Sequence, residues 1–404
     1  MPHNKNQLIV AKEQIMIKYD DKILSWCMNP EPGAIEQARN LSQLPCIIGS
    51  VCLMPDTHEG YGMPIGGVIA LENAVCPNAI GVDIGCGMLA VKTNLTEIPK
   101  RSVLEKIVGT IRSKVPLGQT WHKEPVETEF FERVHWGEEG AASAPICFAE
   151  LNHARLQLGT LGGGNHFIEI QYGDDGHVWF MIHSGSRNLG KKVADFYIEK
   201  ARKLCKRWYY NDIVKNDLAF IPREEELFNQ YWVEMNLCLA FAEQNRAEIA
   251  DIVKCAIRKH IPEMKPFHGI SIHHNYAAFE HHYGRDVIVH RKGATLAREG
   301  VLGIIPGSQG SFSYIVKGKG NEASLCSCSH GAGRKMSRMK AKQTLELSKV
   351  QEEMESKGIV HGISCVNDLD EAPGAYKDID VVMEEQKDLV ETLVKLRPLA
   401  VVKG

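Results

Sequence analysis

Residues 46–93 read CIIGSVCLMPDTHEGYGMPIGGVIALENAVCPNAIGVDIGCGMLAVKT. Three short apolar runs, CIIGSVCLMPD (46–56), PIGGVIAL (64–71) and GCGMLAVKT (85–93), are punctuated by glycine, which predicts strands joined by tight turns. The pattern returns at HFIEIQY (166–172), HVWFMIHSG (177–185), DVIVHRKG (286–293) and SYIVKG (313–318). Helical patterns lie between and after them, over 102–114, 192–208, 224–260 and 377–396. In the last of these, Ile379, Val382, Met383, Leu389, Leu393 and Leu396 make an apolar stripe. The mixture predicts an α+β or α/β globule, read as one domain over 1–404 because no linker cuts it. Residues 115–155 change character, with many acidic residues, glycines and prolines, and are expected to form a surface excursion.

The 404 residues are 44% hydrophobic and 24% charged, a balance that excludes collagen-like, disordered and membrane-spanning chains. No apolar run approaches a membrane span. The opening MPHNKNQLIV is too polar for a secretory signal, so a cytoplasmic location is expected. With 47 basic and 50 acidic residues the formal charge is −3, and any contact with nucleic acid must be a local patch. The twelve cysteines are spread along the chain and read as reduced thiols, with Cys205, Cys238 and Cys255 expected in the core. No G-x-x-x-x-G-K-[ST] loop and no kinase signature is present, which disfavours P-loop phosphoryl transfer.

Seven of the 17 histidines, His3, His122, His135, His153, His177, His260 and His361, read as ordinary core or surface residues. His166, His183, His274 and His330 differ. They sit in GNHFIE, HSGSR, HHNY and CSCSHGAGR, beside small residues that let a ligand approach the backbone, at the ends of strand-like runs. Asp83 and Cys86 in GVDIGCGM are three residues apart in a glycine-rich turn and can aim at one point. Alone they fit a structural turn with a buried thiol; the four histidines favour a metal site. Two cations sharing the Cys86 thiolate, one completed by Asp83 and a histidine and the other by two histidines, would keep positions open for phosphate oxygens. The mixed carboxylate, imidazole and thiolate set fits zinc, cobalt, iron or manganese.

SHGAGRKMSRMKAK (329–342) opens with a glycine turn and becomes helix-like, so free backbone N–H groups could face an anion. Arg334, Lys335, Arg338, Lys340 and Lys342 follow without an acidic residue, and Arg334, Arg338 and Lys342 would share one helix face. A solvated basic face is the plain reading; His330 at its start favours polyanion binding. Arg187 with Lys191 and Lys192, and Arg291 with Lys292, are expected to extend the patch. IIPGSQGSFS (304–313) is a second small-residue loop suited to close approach of a nucleotide.

Taken together, MPDTHEGYGMPIGGV (54–68), GVDIGCGM (81–88), LGTLGGGNHFIEI (158–170), HSGSR (183–187), HHNY (273–276), RKGA (291–294), IIPGSQG (304–310), CSCSHGAGRKMSR (326–338), AYKDID (375–380) and VVKG (401–404) closely resemble the RtcB family of RNA-splicing ligases. The resemblance runs from about residue 45 to the C-terminus and is poor over 115–155. It implies an α+β fold of mixed or antiparallel sheets flanked by helices, not a Rossmann sheet. It also implies a GTP- and manganese-dependent ligase that joins RNA 2′,3′-cyclic phosphate or 3′-phosphate ends to 5′-hydroxyl ends. By motif, Asp83, Cys86 and His166 would hold one Mn²⁺, and Cys86, His183 and His274 the second. His330 matches the histidine that carries GMP, and Asp56 a family acidic residue near the metals. Nucleotide contacts would fall on Asn165, His166, Phe167, Ile168 and Glu169, on His274 and Asn275, and on Pro306, Gly307, Ser308 and Gln309. Ser313, His330, Gly331, Ala332, Gly333 and Lys403 complete that set, with Arg187, Arg334 and Arg338 toward RNA phosphate. Glu169 and Lys403 have the acceptor and donor types that guanine requires. Gln309 departs from the methionine expected there. The implied partners are RNA ends and an accessory activating protein, with a monomeric chain and no membrane. Two other readings compete: a two-metal phosphoesterase that only opens cyclic phosphates, and a non-enzymatic binder of metal or RNA.

Overall fold

The computed structural model describes residues 8–11, 14–133 and 142–404; His3, His135 and part of the 115–155 stretch lie outside them. Two seven-stranded sheets carry the architecture. The first runs, in spatial order, Leu8–Ala11, Gln14–Asp20, Ile23–Ser25, Ile47–His58, Ile65–Leu71, Arg285–Lys292 and Asn275–His282. The second runs Pro266–His273, Gly87–Thr93, Val178–Ser184, Phe167–Gly173, Val390–Lys403, Ser313–Gly318 and Leu302–Ile305. Neighbours pair antiparallel except Ile23–Ser25 with Ile47–His58. The α+β expectation therefore holds, and each of the seven quoted strand runs forms a strand.

Strand alternation explains why these runs are apolar almost throughout. Val51 and Leu53 enter a core shared with the helices Pro32–Leu41, Arg187–Arg207 and Glu226–His260. Cys52 and Met54, one residue out of phase, enter a second core with Val289, Ile305 and Tyr314. Both faces are covered, so neither can be polar. In the second sheet Ile168, Ile170, Phe180 and Ile182 face the helices Arg101–Lys114 and Glu226–His260, while Phe167, Met181, Ile304 and Leu396 fill the opposite side. Among the described residues no helix is long and apolar enough to cross a membrane.

Three expectations are corrected here. Over 377–396 only Ile379–Glu384 is helical, and Val390–Lys403 is a strand between Ser313–Gly318 and Phe167–Gly173. The segment VETLVKLRPLAVVK is rich in β-branched residues, and Pro398 would break a helix; it falls where the pairing shifts register, between Pro398 and Ala400. Leu389 and Leu396 are buried, but Leu393 is exposed. In the basic segment the helix begins only at Arg338, capped by the Ser337 side chain, and Arg334 lies ahead of it in a bridge to Tyr376. Cys205 and Cys238 are buried thiols, whereas Cys255 is exposed on the Glu226–His260 helix.

Candidate active site

Asp83 and Cys86 lie in the turn that feeds Gly87–Thr93, His183 near the end of the adjacent Val178–Ser184, and His166 just before Phe167–Gly173. Sheet pairing places Met88 opposite His183, and His183 opposite Phe167, so three separate segments deliver their ligating atoms to one place. His274 is the single residue between Pro266–His273 of the second sheet and Asn275–His282 of the first. Cys86 Sγ lies 3.4 Å from His166 Nε2 and 3.2 Å from His183 Nε2. His166 Nε2 is 3.2 Å from Asp83 Oδ2, and His183 Nε2 is 3.4 Å from His274 Nε2.

The backbone fixes the tautomers. His166 Nδ1–H donates to Leu161 O at 3.0 Å and His183 Nδ1–H to Asn165 O at 3.1 Å, so both Nε2 lone pairs point inward. The Cys86 thiol has one proton to offer two inward lone pairs and a carboxylate, so this crowd of acceptors lacks donors; the donor set fits a metal. Burial holds the His183 and His274 imidazoles well below their usual range, hence neutral as ligands must be. Burial and the Asp83 charge push the Cys86 thiol far up, a preference that a cation reverses. Behind the loops, buried Arg246 donates to Gly85 O at 3.2 Å and Ser184 O at 3.1 Å, joining the Cys86 turn to the His183 strand.

His330 follows Ser327–Ser329, and its ring centroid is 4.8 Å from that of His274. Its Nδ1 lies 2.5 Å, and its backbone N 3.1 Å, from Asp56 Oδ2. Asp56 is wholly buried in Ile47–His58. Burial alone would raise its carboxyl, but the charge and hydrogen bond of His330, with Lys377 behind, hold it below the ordinary carboxylate range. A carboxylate that accepts Nδ1–H leaves the Nε2 lone pair free. Asp56 thus bears directly on His330 and reaches the metal donors only through it. Lys377, in AYKDID, clamps this strand by donating to Pro55 O at 3.0 Å and Thr57 O at 2.6 Å. Gly333, at φ +71, lets the chain pass: a Cβ there would stand 2.2 Å from Asp56 O.

Residues 86 and 330, linked through His183 and His274, open into one cleft of about 1530 Å³. Asn165, Phe167, Glu169, Asn275 and Lys403 line it, as do Pro306 to Gln309 and Gly331 to Gly333. Two expected contacts do not line it. Ile168 points from its strand into the helix-side core. Ser313 supports the loop from behind, its Oγ accepting from Gly307 N at 3.3 Å and Gln171 Nε2 at 3.2 Å. Gln309 is buried and donates to Glu371 O at 2.8 Å. Burial raises the Glu169 carboxyl to about 8 and lowers the Lys403 ammonium to about 8.

The basic groups are placed differently from the sequence expectation. Glu371, buried and not singled out by sequence, accepts from Arg334 Nη1 at 3.0 Å and Arg338 Nε at 2.8 Å and also binds the Tyr376 hydroxyl. Both arginines line the cleft, gathered by this carboxylate rather than by a common helix face. Arg187 also lines it, in a left-handed conformation at φ 57, with its guanidinium donating to Thr160 Oγ1 and Gly118 O at 3.0 Å each. Arg291 does not extend the patch: it is completely buried and paired with Glu280 at 2.5 Å. Lys292 reaches the cleft, but its ammonium is taken by Tyr61 O at 2.6 Å and Asn78 O at 3.0 Å.

The fold and site define a class of protein: an α+β chain with a carboxylate-oriented histidine beside a cysteine and histidine cluster that could hold a metal. The chain belongs to the RtcB family, whose model, described as tRNA-splicing ligase RtcB, matches residues 37–404. It is 38% identical over 395 residues to the RNA-splicing ligase RtcB of Escherichia coli K12, covering 93% of this chain and 95% of that one. It is 34% identical to the tRNA-splicing ligase RtcB of Pyrobaculum aerophilum, covering 96% and 94%, and 31% identical to that of Thermococcus kodakarensis, covering 92% and 91%.

Proposed function

We propose that this RNA ligase seals RNA 2′,3′-cyclic phosphate or 3′-phosphate ends to 5′-hydroxyl ends with GTP, in tRNA splicing or RNA repair in the cytoplasm. The observation that carries the reading is the Asp56–His330 pair standing against His274 in the cleft that holds the metal donors. His330 Nε2 attacks the α-phosphorus of GTP; a P–N bond forms and pyrophosphate leaves. Asp56 offsets the positive charge that develops on the imidazole as Nε2 loses its lone pair. GMP then passes to the RNA 3′-phosphate, and the 5′-hydroxyl displaces it. Asp83, Cys86 and His166 would hold one Mn²⁺ and Cys86, His183 and His274 the other. Bound there, the ions would supply charge neutralisation for the phosphates and the activated water that opens a cyclic phosphate. Glu169 and Lys403 would read the guanine edge, and Arg187, Arg334 and Arg338 would face phosphate.

The test is the intact mass of the protein after GTP and Mn²⁺. The wild-type chain is expected to gain one GMP and His330→Ala none; an adduct that survives in His330→Ala overturns the assignment.

A further inference from the structure

The 115–155 stretch, expected as a surface excursion, is fastened to the site. Gly118 N donates to Gly162 O at 3.0 Å, in the loop that ends at His166, and Gly118 O accepts from Arg187. His122 N donates to Leu156 O at 2.9 Å, and Val126 N to Arg155 O at 3.0 Å. Between these anchors Trp121 lines the cleft and is 40% exposed, its ring resting at a centroid distance of 5.5 Å against His153. Lodged this way, a large indole costs exposed apolar area and adds nothing to either sheet's core. Trp26 and Trp179, by contrast, are buried.

The surrounding charge points to the ligand. Arg187 and Lys191, one turn apart on the Arg187–Arg207 helix, line the same cleft as Trp121; Lys191 also pairs with Asp195 on its own helix at 2.5 Å, an exposed pair that a phosphate can displace. Tyr61 is also exposed at the cleft, but Glu31 and Glu59 line the cleft there as well, and their charge repels a phosphate backbone. An aromatic face with cations beside it is the chemistry of single-stranded RNA binding.

We infer that Trp121 is a stacking platform for a nucleobase close to the RNA end being sealed, while Arg187 and Lys191 track the adjoining phosphates. The inference rests on the RNA-ligase reading above. It makes residues around 121 a binding element of this chain, tied to the metal loop through Gly118 and Gly162.

The experiment uses full-length protein with Mn²⁺ and GTP, a 3′-phosphate RNA and a 5′-hydroxyl RNA, and each RNA again with an abasic nucleotide near its end. In Trp121→Ala the GMP adduct is expected to form as in wild type. The KM for one of the two RNAs should rise roughly five- to hundredfold with kcat little changed. Trp121→Phe should recover most of the loss. The abasic substitution should weaken wild type by a similar factor and Trp121→Ala hardly further. An unchanged KM for both RNAs, fully additive losses, or loss of the adduct in Trp121→Ala overturns the platform. Absence of the adduct in wild type would instead overturn the reading of the enzyme itself.

Discussion

Asp56 and His330 show what one proton position decides. With Nδ1–H donated to a buried carboxylate, Nε2 is the nitrogen left for the proposed attack, and the carboxylate would stay to stabilise the cationic imidazole. Asp56→Asn removes the charge and can turn its amide N–H toward the ring. The rate of GMP-adduct formation is therefore expected to fall by about 10²–10⁴ while the fold persists, as read by single-turnover mass spectrometry and circular dichroism. Glu169 gives a second prediction at this scale. Its carboxyl, raised by burial to about 8, is mostly protonated at neutral pH, whereas the guanine contact proposed for it, to N1–H and N2–H, requires the carboxylate. Binding at pH 7 should then release a proton, and GTP affinity should fall about tenfold per unit as pH drops below 8. Calorimetry in buffers of different ionisation enthalpy checks both, and Glu169→Gln should abolish the proton release. Asp83, Cys86 and the four histidines were legible because small residues mark them in sequence. Glu371 and Arg246 carry no such flanking signal and are recognised only by what they bind: Glu371 meets Arg334 across 37 residues, and Arg246 meets Ser184 across 62.

Strands delivered the site, and they were read well where alternation places apolar residues on both covered faces, as in Ile47–His58. The failure at Val390–Lys403 has a physical cause: an approximate three-to-four spacing of Leu389, Leu393 and Leu396 coexists with β-branched residues, and pairing partners on both sides settle the matter. That strand matters because its end puts Lys403 opposite Phe167. The loop 161–166 sets a different requirement. Gly162 sits at φ +95, and a Cβ there would lie 2.0 Å from Arg187 Nη1 and 2.5 Å from His166 Nδ1. Gly162→Ala must strain the backbone and displace both side chains together. A loss of stability of about 1–3 kcal/mol in chemical denaturation is expected, with bound metal falling in parallel as measured by elemental analysis.

At the scale of the molecule, the site lies where the two sheets meet. Asp83, Cys86, His166 and His183 belong to the second sheet and its loops, Asp56 to the first, and His274 to the one-residue junction between them. No local pattern could announce that junction, since it depends on which edge strands the chain places side by side. It has a thermodynamic consequence. The proposed ligands come from segments nearly 200 residues apart and assemble only in the folded state, so metal binding there would be linked to folding of the whole chain. Each Mn²⁺ site filled at 100 times its dissociation constant should add about 2.7 kcal/mol to unfolding, visible as a Tm that keeps rising with the logarithm of the metal concentration. Cys86 is the one donor common to both proposed ions, and a serine hydroxyl is a poor bridge at neutral pH. Cys86→Ser should therefore lose both ions and the whole metal-dependent rise. His274→Ala, which leaves Asp83, Cys86 and His166 in place, should keep one ion and part of the rise. Metal content near the wild-type value in Cys86→Ser, or equal losses in the two variants, would show that the thiolate is not shared.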